Sequence, residues 1–216
     1  FGALRWISRE EHELSVCDQY ISWGWIENGN AKITPVGQFV RRKEPRGPRH
    51  GRQYLVLITL SKPRYSNRLY SYPISSQILD AHHDNATLVH HLPSSIKDRL
   101  IVRLYPKESG WAQYERWSTS FPAVKIDQGD SDLGLMLNQC RLLVVTYNGA
   151  TFLESFTLNI PTVLYWNSSH SELRKDAEPF YKKLQDVGIL QHSPTAASEH
   201  IRAVWQDVDG WWKDPR

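Results

Sequence analysis

Only two of the 216 residues are cysteine and only one is methionine. Cys17 and Cys140 stand far apart, and no spacing pattern pairs them into a disulfide framework. Both read as small core residues of a protein kept in a reducing compartment. Long hydrophobic runs are also missing. None approaches the ~20 residues that a membrane-spanning helix needs, and the opening residues do not read as a signal peptide. The charge is nearly balanced, with 26 Lys and Arg against 23 Asp and Glu, a formal net charge of +3. That is too little for a general nucleic-acid binder. Several catalytic signatures are absent too: Walker A, G-x-G-x-x-G, G-x-S-x-G and HExxH. DQGDSD, residues 127–132, has acids at loop-metal spacing but no terminal Glu where a calcium loop would place one. Asp132 reads instead as a helix N-cap. His82-His83 and His90-His91 read as a polar helix surface, because a metal would need further converging ligands. No internal repeat or low-complexity segment occurs. The chain begins at Phe1, and an upstream portion is expected. The sequons at Asn85 and Asn167 carry no meaning outside a secretory route.

What the chain does have is tryptophan, nine of them. Most are expected in packing, because aromatics dominate burial. It also has a regular rhythm from Tyr54 onward. Apolar runs at 54–59, 100–104, 123–126, 142–145 and 162–165 read as strands buried on both faces. Helices are expected between and after them, at 75–92, 111–118, 132–139, 151–158, 171–186 and 198–205. Strict alternation of this kind predicts an α/β domain, a Rossmann-like parallel sheet with helices on both faces. Residues 1–52 form a distinct leader, with a short helix at 9–19 and a strand at 20–26. Its last part, RRKEPRGPRHGR (41–52), holds six Lys or Arg and one Glu. It reads as a solvated connector, or as a contact with anionic lipid headgroups or a substrate phosphate. Residues 53–216 form the Rossmann-like domain.

Ligands of such sheets bind off the carboxyl ends of the strands. Ser61, Lys62 and Arg64 follow the first. Arg103, Tyr105, Pro106, Lys107 and Glu108 end and follow the second. Asp127 follows the third. The fourth runs into Thr146, Tyr147, Asn148, Gly149, Ala150 and Thr151, a small and polar turn that opens a helix. A helix N-terminus offers unpaired N–H groups and the positive end of the dipole to a phosphate. Gly149 suits close backbone approach and unusual backbone angles. Cations near such a turn add to phosphate recognition, and an acid at a strand end can accept both ribose hydroxyls. The rim suits a nucleotide better than a metal or a nucleophile.

The segments RLYPKESGWAQYERW (103–117), RLLVVTYNGATFLESFTLNIPTVLYWN (141–167), ELRKDAEPFYKKLQDVGIL (172–190) and HIRAVWQDVDGWW (200–212) carry a resemblance. They look like a bacterial family of transferases encoded in O-antigen and other surface-polysaccharide loci. The resemblance covers most of residues 50–212, and YISWGW in the leader also fits. That family resembles the C-terminal, donor-binding half of GT-B glycosyltransferases, and distantly the Kdo and sialic-acid transferases that use CMP-sugars. In those enzymes a His-Pro pair follows one strand, an acid the next, and paired hydroxyl residues open the helix after a third. Here Tyr105-Pro106 stands for His-Pro, Asp127 for the ribose acid, and Thr146 to Thr151 for the phosphate-binding hydroxyls. Tyr in place of His removes an imidazole, so Arg103 or Lys107 would supply the charge.

The resemblance implies a metal-independent glycosyltransferase, with a nucleotide sugar, CMP-linked in the distant relatives, as donor and no other cofactor. The implied site places Thr146, Asn148, Gly149, Ala150 and Thr151 at the phosphate. It places Arg103 and Lys107 as counter-charges, Asp127 at ribose, and Tyr105, Pro106 and Glu108 near the base. It implies a lipid-linked or oligosaccharide acceptor, no nucleic-acid partner, and a cytoplasmic location peripheral to the inner membrane through residues 41–52. GT-B enzymes carry their acceptor groups on an N-terminal domain, most of which this chain is expected to lack, so no catalytic residue is assigned. A sugar-nucleotide 2-epimerase-like enzyme and a non-catalytic interaction module with the same fold are the alternatives.

Overall fold

The computed structural model describes residues 3–6, 10–22, 24–27, 29–37, 51–65 and 71–215. The leader holds α1 (Glu10–Val16) and a two-stranded parallel pair, β1 (Tyr20–Ser22) with β2 (Ile33–Pro35). The strand expected over 20–26 thus ends at Ser22, and 33–35 pairs beside it. The basic run 41–50 lies outside the described residues.

The main sheet has six strands, all parallel: β3 (Tyr54–Ile58), β4 (Leu100–Arg103), β5 (Lys125–Asp127), β6 (Cys140–Val145), β7 (Thr162–Tyr165) and β8 (Leu190–Gln191). Their order is β5-β4-β3-β6-β7-β8. The chain therefore builds outward from β3 in one direction, returns, and builds outward in the other. This is the doubly wound arrangement, with its topological switch point between β3 and β6.

Side chains alternate across each strand, and both faces are covered. Leu55, Leu57, Leu100, Val102, Leu142 and Val144 lie on one face. Over them pack α2 (Gln77–His91), the short α3 (Ser94–Lys97), α4 (Gln113–Ser120), α8 (Pro194–Val204) and α9 (Val208–Trp212). Val56, Ile58, Leu143, Val145 and Leu164 lie on the other, under α5 (Leu133–Asn138), α6 (Ala150–Thr157) and α7 (Glu178–Asp186). Helices on both faces explain why the strands read as unbroken apolar runs. Cys140 is fully buried, which pushes its thiol up to about 12. Trp111, Trp117, Trp166 and Trp205 are buried, while Trp6 is exposed.

Two expectations are corrected. The helix expected over 171–186 starts only at Glu178, with Pro179 in its first turn. Upstream of it, residues 172–174 are engaged elsewhere: Leu4 bridges Leu173 antiparallel, Arg5 N–H donates to Glu172 O, and Arg174 N–H donates to Ala3 O. An extended partner thus holds this stretch out of the helix. Residues 3–6 accordingly lie along the main domain, not apart from it. The sixth strand, β8, was not expected, since two residues give no periodicity. The Asp132 N-cap is present, its carboxylate accepting from Leu135 N–H at 3.1 Å. Among the described residues, no helix is long and apolar enough to cross a membrane.

Candidate functional site

At the switch point, β3 ends into Thr59, Leu60, Ser61 and Lys62, and β6 ends into Thr146, Tyr147, Asn148 and Gly149. The two loops are tied at their base. Thr146 donates to Ile58 O through its N–H at 3.4 Å and through its hydroxyl at 3.3 Å. The Thr146 hydroxyl is therefore spent on the neighbouring strand. The Thr151 hydroxyl is engaged with the Tyr147 phenol at 2.5 Å.

What remains free for a ligand is the opening of α6 itself. Gly149 is the N-cap and supplies no side-chain cap. The first N–H groups of a helix have no intrahelical acceptor. Asn148 stands beside them, 5% exposed. Its Oδ1 accepts from the Tyr181 hydroxyl at 2.9 Å. Its Nδ2 is buried and has no partner. A buried amide donor without an acceptor costs about 1–3 kcal/mol. An acceptor seated at the start of α6 would remove that cost.

Gly149 is required here for another reason than expected. Its φ is −163°, extended backbone open to any residue. A β-carbon there would lie 2.7 Å from Tyr147 Cε2 and 3.8 Å from the Tyr72 hydroxyl. The glycine makes room for an aromatic wall. Tyr72, Tyr147 and Tyr181 form that wall, and burial pushes all three phenols up, Tyr72 to about 12. Lys62 places its ammonium 4.9 Å from the Tyr72 ring, and its backbone carbonyl accepts from Trp111 Nε1 at 2.7 Å. Lys62 is thus the cation positioned near the α6 turn. It lies in the list of strand-end residues, yet nothing local in the sequence ties it to Asn148. Tyr72 and Tyr181 carried no signal at all, being 109 residues apart along the chain.

The residues of the β4 and β5 loops form a separate group. Arg103 and Asp127 are cross-strand neighbours, and Arg103 Nη1 meets Asp127 Oδ2 at 2.5 Å. The same guanidinium donates to Ser131 Oγ and Gly129 O. Asp127 also accepts from Gly129 N–H and the Ser131 hydroxyl. Burial alone would raise the Asp127 carboxyl. The Ser131 and Gly129 hydrogen bonds and the Arg103 charge outweigh it and hold the carboxyl below its usual range. The structure therefore engages Arg103 and Asp127 with each other. Gly129 has φ +91°, and a β-carbon on it would lie 2.7 Å from Pro106, so the two loops touch there.

Glu108 is engaged in the same way. Its carboxylate accepts from the N–H groups of Trp111, Ala112 and Gln113 at the entry to α4. Burial would raise this carboxyl too, but those backbone hydrogen bonds, Trp111's foremost, hold it low. Tyr105, Pro106 and Lys107 are exposed on the rim. Among the described residues, no group of three His, Cys, Asp or Glu side chains could hold a metal ion. His82 instead sets its ring edge-on to Trp117 at 5.5 Å.

The doubly wound parallel sheet with helices on both faces, and a helix that opens without a side-chain cap at its switch point, define an α/β protein of Rossmann-like architecture. The chain belongs to the LIC12162 family of transferases, whose model matches residues 1–216. No curated protein matches it. Among solved structures, the glycotransferase of kitacinnamycin is similar to 85% of this chain at 16% identity and a TM-score of 0.40. The chain spans 42% of that protein's length.

Proposed function

We propose that this transferase is a glycosyltransferase of GT-B type whose donor nucleotide seats its phosphate at the start of α6. The unspent Asn148 Nδ2 carries the reading, because it is a buried donor in the residue that precedes a helix N-terminus without a side-chain cap. The N–H groups of Gly149, Ala150 and Thr151 would share the phosphate oxygens, with Lys62 as the nearby cation. Charge that develops on the departing nucleotide phosphate is then met by fixed donors, which need no reorganisation as the bond breaks. Thr146 and Thr151 shape the turn. The nucleoside would extend over the ends of β3 and β4 toward Tyr105 and Lys107. Asp127 and Glu108 hold the loops that receive it.

The surface-polysaccharide setting and a lipid-linked or oligosaccharide acceptor are supported by the resemblance of segments 103–117 and 141–167. Isothermal titration with CMP, UDP and GDP and their sugars tests the reading. Binding by wild type that Asn148→Ala weakens by about tenfold, the scale of one hydrogen bond to a charged group, is expected. Nucleotide affinity unchanged in Asn148→Ala removes the site.

A further inference from the structure

A recess opens off the ends of β7 and β8. It has a volume of about 600 Å³, within the ~300–1,000 Å³ range of small-molecule sites. One wall is the stretch after β7, with Trp166 and Ser171, and the other is α7 with the end of β8. Tyr181 links this recess to the α6 turn. It lines the recess, and its hydroxyl holds Asn148 at the mouth of α6.

The lining chemistry is specific. Glu178 and Gln185 are exposed one above the other on α7, seven residues apart and so on one face. Gln191 lies on the same wall, its Nε2 donating to Gly188 O at 2.7 Å, which leaves its Oε1 as an acceptor. Ser171 is 1% exposed, and its hydroxyl has no hydrogen-bond partner although it borders the recess. A carboxylate, two amides and an unspent hydroxyl are complementary to a ligand dense in hydroxyl groups, each of which both donates and accepts. A nucleobase would want an open aromatic face. Trp166 does not offer one, being 7% exposed between Phe152 and Tyr181.

We infer that this recess is a carbohydrate subsite, which takes a sugar chain through its hydroxyl groups. It rests on the transferase reading for the class of ligand, and the recess itself is tested alone. The test uses maltotriose, chitotriose and 3′-sialyllactose as neutral, acetamido and anionic probes. Binding is followed by saturation-transfer NMR and titration of wild type and the surface double variant Glu178→Ala/Gln185→Ala. Thermal melting confirms that the variant is folded. At least one probe binds wild type and loses about tenfold or more in the variant, the scale of lost charged hydrogen bonds, while CMP, UDP or GDP affinity stays within about twofold. Ser171→Ala, which removes the unspent hydroxyl without adding bulk, shows the same selectivity. Probe binding lost in the variants with no nucleotide binding at all would keep the subsite and sink the donor reading. Failure of every probe to bind wild type, or binding indifferent to both variants, overturns the subsite.

Discussion

The Tyr181 hydroxyl donates to Asn148 Oδ1 at 2.9 Å, across 33 residues of chain. This one bond joins α7 to the turn that opens α6 and orients the Asn148 amide with Nδ2 unspent. If the bond positions the donor, Tyr181→Phe weakens nucleotide binding by less than Asn148→Ala does, about threefold to tenfold, since the amide can turn but is not lost. The double variant should then match Asn148→Ala alone, because coupled residues are not additive. Titration calorimetry on the three variants checks this, and strict additivity would show that the two residues act separately.

Gly149→Ala puts a β-carbon against the Tyr147 ring, at 2.7 Å from its Cε2 in the wild-type arrangement. The ring has to shift, at a cost of about 1–3 kcal/mol for an overpacked site. Thermal unfolding should show the loss. In a Tyr147→Ser background, where the obstacle is gone, the same Gly149→Ala change should cost less. An equal cost in both backgrounds would mean that the Tyr147 ring is not what excludes the β-carbon.

Arg103 and Asp127 are both largely buried, with side chains 12% and 9% exposed. Removing one partner strands the other, so Asp127→Ala should cost about 2–4 kcal/mol of stability without any ligand. Arg103→Ala/Asp127→Ala together should cost less than the sum. A melting curve unchanged in Asp127→Ala, accompanied by weak nucleotide binding and a lost response to the 2′,3′-dideoxy nucleotide, would assign the carboxylate to ribose instead.

Acid should destabilise the fold in two stages. Burial, aided by the Arg116 charge, lowers the His82 pKa below its usual 6.5, and burial lowers that of His200. The unfolded chain then binds more protons than the folded one just below pH 6.5, so stability falls as pH drops through that value. Asp127 and Glu108 are held below the usual carboxylate range. Their contribution is present above the unfolded value and is lost as pH falls further. Melting temperature measured from pH 8 to 3 should show both declines, and His82→Gln should flatten the first. A flat profile between pH 7 and 5 would contradict the assigned burial of these imidazoles.

The sequence by itself determined the strands β3, β4, β6 and β7 and the helices between them. Four or five successive Val, Leu and Ile residues can be hidden only where a sheet is covered twice, and that pattern is local. It also marked the turn from Thr146 to Thr151, since a strand that runs straight into a helix must expose that helix's N-terminus. Local patterns carry no information on partners far along the chain. Strand β8 is set by Leu164 and Tyr165 pairing with Leu190 and Gln191, and the start of the expected 171–186 helix is withheld by Leu4. The same holds at the site. Arg103 and Asp127 looked like two separate ligand groups until parallel pairing of β4 with β5 set them side by side. Lys62, Tyr72 and Tyr181 meet Asn148 and Gly149 only because the sheet order puts β3 next to β6 and lays α7 beside it, a choice made by burial over the whole domain.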